Sequence, residues 1–263
     1  ISYLGNEYVG GIAGHSNIYV NSIDDNIINV GKVSGNSYVG GIIGYGKANK
    51  NKISDMDIIG VNYVGGIAGS LTDSNDNKNL VNKTNIKATG DYVGGICGLD
   101  SQDSVSSNVV IDTIIEGKNY VGGLSGKENR LSANRLYDFS NNYTDGLKIV
   151  SNGNYVGGLI GFAQINIKNN YSVNSEIIGI NSVGGILGEQ ELGVISNNYT
   201  NNNVSGEENI GGLVGKIDNS KTTDIVYITE ISSNYVADSQ ISGSQNVGGL
   251  IGAISKEIDD IHY

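Results

Sequence analysis

Tyr8-Val9-Gly10-Gly11-Ile12-Ala13-Gly14 contains a hexad, Val/Ile-Gly-Gly-Ile/Leu-x-Gly, that returns eight more times along the chain. The later copies begin at Val39, Val64, Val93, Val121, Val156, Val183, Ile210 and Val247. They stand 30, 25, 29, 28, 35, 27, 27 and 37 residues apart, inside the range of about 20–50 residues that marks stacked-repeat proteins. One unit is therefore copied nine times, and 263 residues form one elongated body rather than two globular domains.

Glycine holds the same three positions in every copy, beginning with Gly10, Gly11 and Gly14, then Gly40, Gly41 and Gly44, then Gly65, Gly66 and Gly69. The nine copies use 27 of the 40 glycines. At roughly 0.5–1 kcal/mol per glycine inside a strand, they would cost on the order of 15–25 kcal/mol if they served no purpose, more than the net stability of a typical domain, about 5–15 kcal/mol. These glycines are thus assigned a structural role: positive φ, a bend, or backbone packing where a Cβ would collide. Val9 and Ile12, three residues apart, would point to opposite faces of a flat strand. Either Gly10-Gly11 turns a corner that brings both inward, or both faces of the strand are covered.

Upstream of the hexads runs Ile/Val-x-Gly-x-x-Tyr, as at Val33-Ser34-Gly35, Ile58-Ile59-Gly60 and Ile177-Ile178-Gly179. Further upstream Asn-Asn-Tyr-Thr/Ser recurs at Asn141, Asn169 and Asn197, and Ser233-Asn234-Tyr235-Val236 follows the same form. An apolar residue precedes several of these, as at Ile167, Ile195 and Ile231. Each unit reads as three short β-segments separated by polar turns, without a convincing helical period. The expected fold is all-β, a repeat β-solenoid of about nine ~30-residue coils spanning 1–263, a rod roughly 40–45 Å long at ~4.8 Å per coil. A stack of small antiparallel hairpin units is the second reading. Asparagines at equivalent positions are expected to hydrogen-bond in ladders and to supply left-handed turns.

The hexad and its upstream context resemble the GLUG repeat, found in tandem in large bacterial surface proteins and in immunoglobulin-A1-cleaving metalloproteases of Gram-positive bacteria. The resemblance covers nearly the whole chain, from Tyr8 to Gly252. It implies secretion or display at the cell wall, an adhesin or the non-catalytic part of a virulence protease, and flanking domains in the same polypeptide. The chain opens at Ile1, directly into a unit lacking its upstream half, and is read as a segment of a longer polypeptide.

A formal charge of −11, with arginine only at Arg130 and Arg135, argues against nucleic acid or an anionic membrane as partner. No run approaches the ~20 apolar residues of a membrane span, so no membrane insertion is expected. Catalytic chemistry is sparse. His15 and His262 form no His-Glu-x-x-His zinc motif, and Cys97, the lone cysteine, occupies a small apolar slot of its hexad. Asp73-Ser74-Asn75-Asp76-Asn77 begins like a calcium loop but has Lys78 and Thr84 where Gly and Glu are needed. No catalytic residue, metal or cofactor is assigned. A carbohydrate-active β-helix, with Asp138 beside Arg130 and Arg135 or carboxylate pairs such as Asp24 with Asp25 and Asp55 with Asp57, is the alternative.

Binding chemistry has two candidates. Tyrosine precedes the hexad at Tyr8, Tyr38, Tyr63, Tyr92, Tyr120 and Tyr155, and gives way to Ser182, Asn209 and Asn246. Stacked coils would align these into an aromatic stripe suited to a glycan or host protein, or into a ladder that seals the strand ends. The longest insertions are Lys127–Asp138, which places Arg130, Arg135 and Tyr137 together, and residues 218–229. Loops leaving a solenoid carry recognition in many repeat proteins. After Gly252, Ile254, Ile258 and Ile261 fall at helical spacing, read either as a capping helix or as the first strand of a further coil.

Overall fold

A computed structural model describes residues 2–16, 22–72, 77–100, 105–129, 136–220 and 230–255. Among them the architecture is all-β, and the coils stack as a parallel β-solenoid. One sheet holds nine strands, one from each hexad, running from Glu7–Gly10 through Ser37–Gly40 and Asn62–Gly65 to Gln245–Gly248 in chain order. A ten-stranded sheet begins with Ala13–His15 and ends with Ile251–Ser255. The hexad Val pairs with the hexad Val of the next coil and Gly with Gly, as in Val64 with Val93 and Gly65 with Gly94. All pairings between strands are parallel, which excludes the hairpin arrangement.

Each hexad is a corner. The strand Asn62–Gly65 stops at the first glycine, Gly66 and Ile67 make the bend, and Ala68–Leu71 continues in the second sheet. Val64 and Ile67 therefore both enter the interior, and so do their counterparts from Val39 and Ile42 to Ile210 and Leu213. The corner reading of the Val/Ile pair holds. Of the three roles open to the hexad glycines, the bend and close backbone packing are realised, and positive φ is not. The glycines with left-handed φ, Gly46, Gly146 and Gly193, lie outside the hexads. A Cβ on Gly11 would collide with the Gly41 carbonyl oxygen of the next coil, and the same contact recurs from Gly41 to Gly66 and onward.

The remaining wall is a thirteen-stranded sheet, in which a coil supplies either one long strand, such as Lys52–Gly60, or two short ones, such as Leu80–Asn82 and Asn85–Ala88. A left-handed residue marks the break or bend: Asp55 in the long strand, Lys83 between the short ones. Three segments per unit proves too few for the later coils. Asp138–Ser140, Asn166–Lys168, Val194–Ser196 and Glu230–Ser232 form a fourth parallel sheet, and its inward residues include Phe139, Ile167 and Ile195, all buried.

The asparagine expectation resolves into two jobs for adjacent residues. The first of each Asn pair takes the left-handed turn, with φ of 58°, 57° and 56° at Asn141, Asn169 and Asn197. The second points inward and builds a ladder. Asn142 Oδ1 accepts the Asn108 backbone N–H at 2.9 Å and its Nδ2 at 3.3 Å, while Asn142 Nδ2 donates to Val105 O and Asn170 Oδ1. The ladder runs from Asn26 through Asn51, Asn79, Asn108, Asn142, Asn170 and Asn198 to Asn234. It answers the turn's buried donors with one side chain per coil.

At the far end, Ile251–Ser255 continues the stack by pairing with Val214–Asp218. Ile254 is thus a strand residue rather than the start of a helix. Ile258 and Ile261 lie outside the described residues, as do most of the calcium-like loop at 73–76 and the inserted residues 221–229.

Candidate binding surface: the tyrosine column

The residue before each hexad lies within or just ahead of a strand of the nine-stranded sheet, and its backbone takes the left-handed region. φ is 52° at Tyr8, 54° at Tyr38 and Tyr63, 64° at Tyr92, 55° at Tyr120 and 62° at Tyr155. Such a conformation costs a non-glycine residue on the order of 1–2 kcal/mol. The rings offset that cost by stacking, with centroids 4.9, 4.6, 4.8, 4.8 and 4.7 Å apart along the column and planes within 20° of parallel. The six sequence-predicted tyrosines are brought together as one continuous column.

An outer row of the ten-stranded sheet packs against it. Tyr45 lies edge-on to Tyr8 and Tyr38, and Phe162 edge-on to Tyr120 and Tyr155. Between these rings the Lys127 ammonium sits 5.3 Å from the Tyr120 centroid and 4.9 Å from that of Phe162, a cation–π arrangement. Tyr38, Tyr63, Tyr92, Tyr120 and Tyr155 are consequently half-buried. Their ring faces are occupied by one another, so the column offers ring edges to solvent. Burial first, then neighbouring phenols and acids, raises the hydroxyl pKa of Tyr38, Tyr63 and Tyr92, and takes that of Tyr120 to about 12.

Where the tyrosines end, hydrogen bonds replace ring stacking at the same left-handed site. Ser182 Oγ donates to Glu189 Oε2 at 3.0 Å, and Asn246 Nδ2 donates to Asn209 Oδ1 at 2.9 Å, which in turn donates through Nδ2 to Asn181. φ remains between 51° and 57° at these three residues.

The second candidate divides. Arg130 and Arg135 lie outside the described residues. Tyr137 is half-buried and packed on the hydrophobic core, and its carbonyl accepts the Asn166 N–H at 2.9 Å. It is part of the wall of the rod. Asp138, considered with the arginines, meets Lys168 at 3.2 Å and Asn166 Nδ2 at 2.8 Å. Cys97 is fully buried with Ser125 Oγ 3.6 Å away, and burial pushes its thiol pKa well up, away from thiolate chemistry. Among the described residues no group of three or more His, Cys, Asp or Glu side chains converges as a metal site, and no helix is long and apolar enough to cross a membrane.

A buried acidic pair was not anticipated from sequence. Asp100 and Glu128 are register partners on adjacent coils, 3% and 1% exposed. Glu128 Oε1 has no hydrogen-bond partner. Burial and then the Asp100 charge raise the Glu128 pKa well above its ordinary 4.5, against the Ser125 hydroxyl, which lowers it.

No family model matches the chain, and no solved structure matches it. Among curated proteins it is similar to halomucin of Haloquadratum walsbyi, at 34% identity over 116 residues, covering 39% of this chain and 1% of that protein. The chain thus matches only a small part of that much longer polypeptide.

Proposed function

We propose that this chain is a non-catalytic, elongated repeat module of a secreted or wall-attached bacterial protein. It acts as a stalk that spaces flanking domains and carries an adhesive side for a glycan or host protein. The observation behind this reading is the stack itself: one interface repeated coil after coil, with hollows at the two ends, beside Tyr3 and Tyr8 at one and Tyr235 and Leu250 at the other. Similarity to part of halomucin is compatible with a repeat segment of a long polypeptide. The GLUG-like hexads support placement among surface adhesins or as the accessory region of an immunoglobulin-cleaving metalloprotease.

The test combines shape and retention. Small-angle scattering of residues 1–263 and of versions lengthened by whole coils is expected to show an axial increment of about 4.8 Å per coil at constant cross-section. Substitution of outward-facing tyrosines by Ser is expected to weaken retention on host glycans or proteins while the rod stays folded. A cross-section that grows with coil number, or hydrolysis of polysaccharide or protein by the purified chain, would overturn the reading.

A further inference from the structure

The tyrosine column is not the only aromatic row. In the thirteen-stranded sheet Tyr143 pairs in register with Tyr171, Tyr171 with Tyr199, and Tyr199 with Tyr235. The residues flanking Tyr143 and Tyr199 in sequence, Asn142, Thr144, Asn198 and Thr200, are buried, so strand alternation turns these tyrosines outward. Four rungs make a ribbon about 14 Å long parallel to the rod.

This ribbon differs from the first column where binding is concerned. Two of its four rings are more open, with Tyr171 51% and Tyr235 62% exposed, while Tyr143 and Tyr199 are half-buried. Tyr171 and Tyr199 stand 6.0 Å apart and tilted by 36°, so their faces are incompletely taken up by one another, whereas Tyr199 and Tyr235 stack at 5.6 Å. Two nearby carboxylates have partners. Asp145 accepts hydrogen bonds from the Tyr143 hydroxyl and the Asn174 amide, at 2.7 and 2.9 Å, and Glu176 meets Lys148 at 3.4 Å. Asn201, the next outward residue after Tyr199, and Asn203, further along the same outer face in register with Glu176, are neutral amides that no described residue engages. Open aromatic edges and faces beside a free amide, in a straight line and next to the acidic Asp145 and Asp238, which disfavour an anionic polymer, match the C–H faces and hydroxyls of an uncharged sugar chain.

We infer that the Tyr143–Tyr171–Tyr199–Tyr235 ribbon, rather than the hexad tyrosine column, is the docking strip of this module, and that its ligand is a neutral linear polysaccharide lying along the rod. The inference rests on the adhesive half of the function proposed above and assigns it a place and a ligand class.

Affinity electrophoresis of residues 1–263 through gels containing a soluble β-glucan, a galactomannan or, as the anionic control, alginate tests it. Retardation by at least one neutral polymer is expected, with roughly tenfold weaker binding in Tyr171→Ser/Tyr199→Ser, intermediate loss in Asn203→Ala, and melting temperatures unchanged. Should the double variant fail to fold, Tyr199→Phe and Asn203→Ala carry the test: Phe keeps the stacking and most of the binding. Retardation by alginate alone, or by no polymer, overturns the inference while leaving the spacer role to the scattering experiment. Binding lost in Tyr63→Ser/Tyr92→Ser but intact in Tyr171→Ser/Tyr199→Ser overturns the ribbon and keeps the adhesive reading. Capture of protein or of a second copy, without polysaccharide, also overturns it.

Discussion

At the residue scale, the second glycine of each hexad shows the clearest division between need and freedom. A Cβ on Gly158 would strike the Gly185 carbonyl of the following coil, whereas one on Gly249, in the last described coil, meets nothing within 4 Å. Gly158→Ala is expected to destabilise the 1–263 chain by about 1–3 kcal/mol or more, as overpacking does, and Gly249→Ala to be near neutral; urea midpoints of the two variants decide it. Glu128 offers a pH test. Its folded pKa lies above its unfolded value, so its contribution to stability is complete below about pH 4.5 and is lost as pH rises toward the folded pKa. Glu128→Gln should therefore gain on the wild type in melting temperature between pH 4.5 and 8, and a constant offset would contradict this account. The glycines were legible in sequence as a steric requirement because 27 repeats of one costly choice need a common cause. Which requirement they met was not legible, since it depends on the carbonyl of a residue about thirty positions away.

Elements tell the same story one level up. The asparagine ladder followed from recurring Asn-Asn pairs, but its upstream half did not, because Lys50, Lys78 and Ser107 take the left-handed turn there while Asn51, Asn79 and Asn108 keep the inward position. The first position keeps its left-handed φ with several residue types, and only the second is asparagine in every coil of the ladder. Asn142→Ala removes side-chain contacts to three other residues and should cost about 2–4 kcal/mol, measurable by thermal unfolding, with exchange protection lost first at the Asn108 amide. The hexad tyrosine column was legible from spacing alone. That its rings would face one another was not, because this depends on φ near 55° at each tyrosine. Its raised pKa values give a second pH test. The unfolded phenols ionise near 10 and the folded ones later, Tyr120 at about 12, so stability is lost as pH climbs from about 10 to 12. Tyr120→Phe should blunt that loss. The second ribbon was not legible in sequence, although Asn-Asn-Tyr recurs, because the face its tyrosine takes depends on the inward turn of the preceding asparagine.

For the whole molecule, the repeat period was sufficient to give the parallel stack, while the fourth sheet was hidden in single apolar residues, Ile167, Ile195 and Ile231, too short a signal to stand as strands. Repeat arrays gain stability from each contact between neighbours, so the chain should lose stability stepwise as terminal coils are removed. The register also has a genetic reading. Val64 aligns with Val93 and Gly65 with Gly94, and Tyr63 stacks on Tyr92, so excising residues 64–92 rejoins surfaces that already fit. That shortened chain is expected to fold with the same circular dichroism spectrum and a slightly lower melting point; aggregation instead would mean the coils are not interchangeable. Because the glycine-to-carbonyl contact is the same at every joint, slippage between repeats during replication would alter reach without touching the surface chemistry of the units that remain, and length becomes a trait that selection can adjust in whole steps.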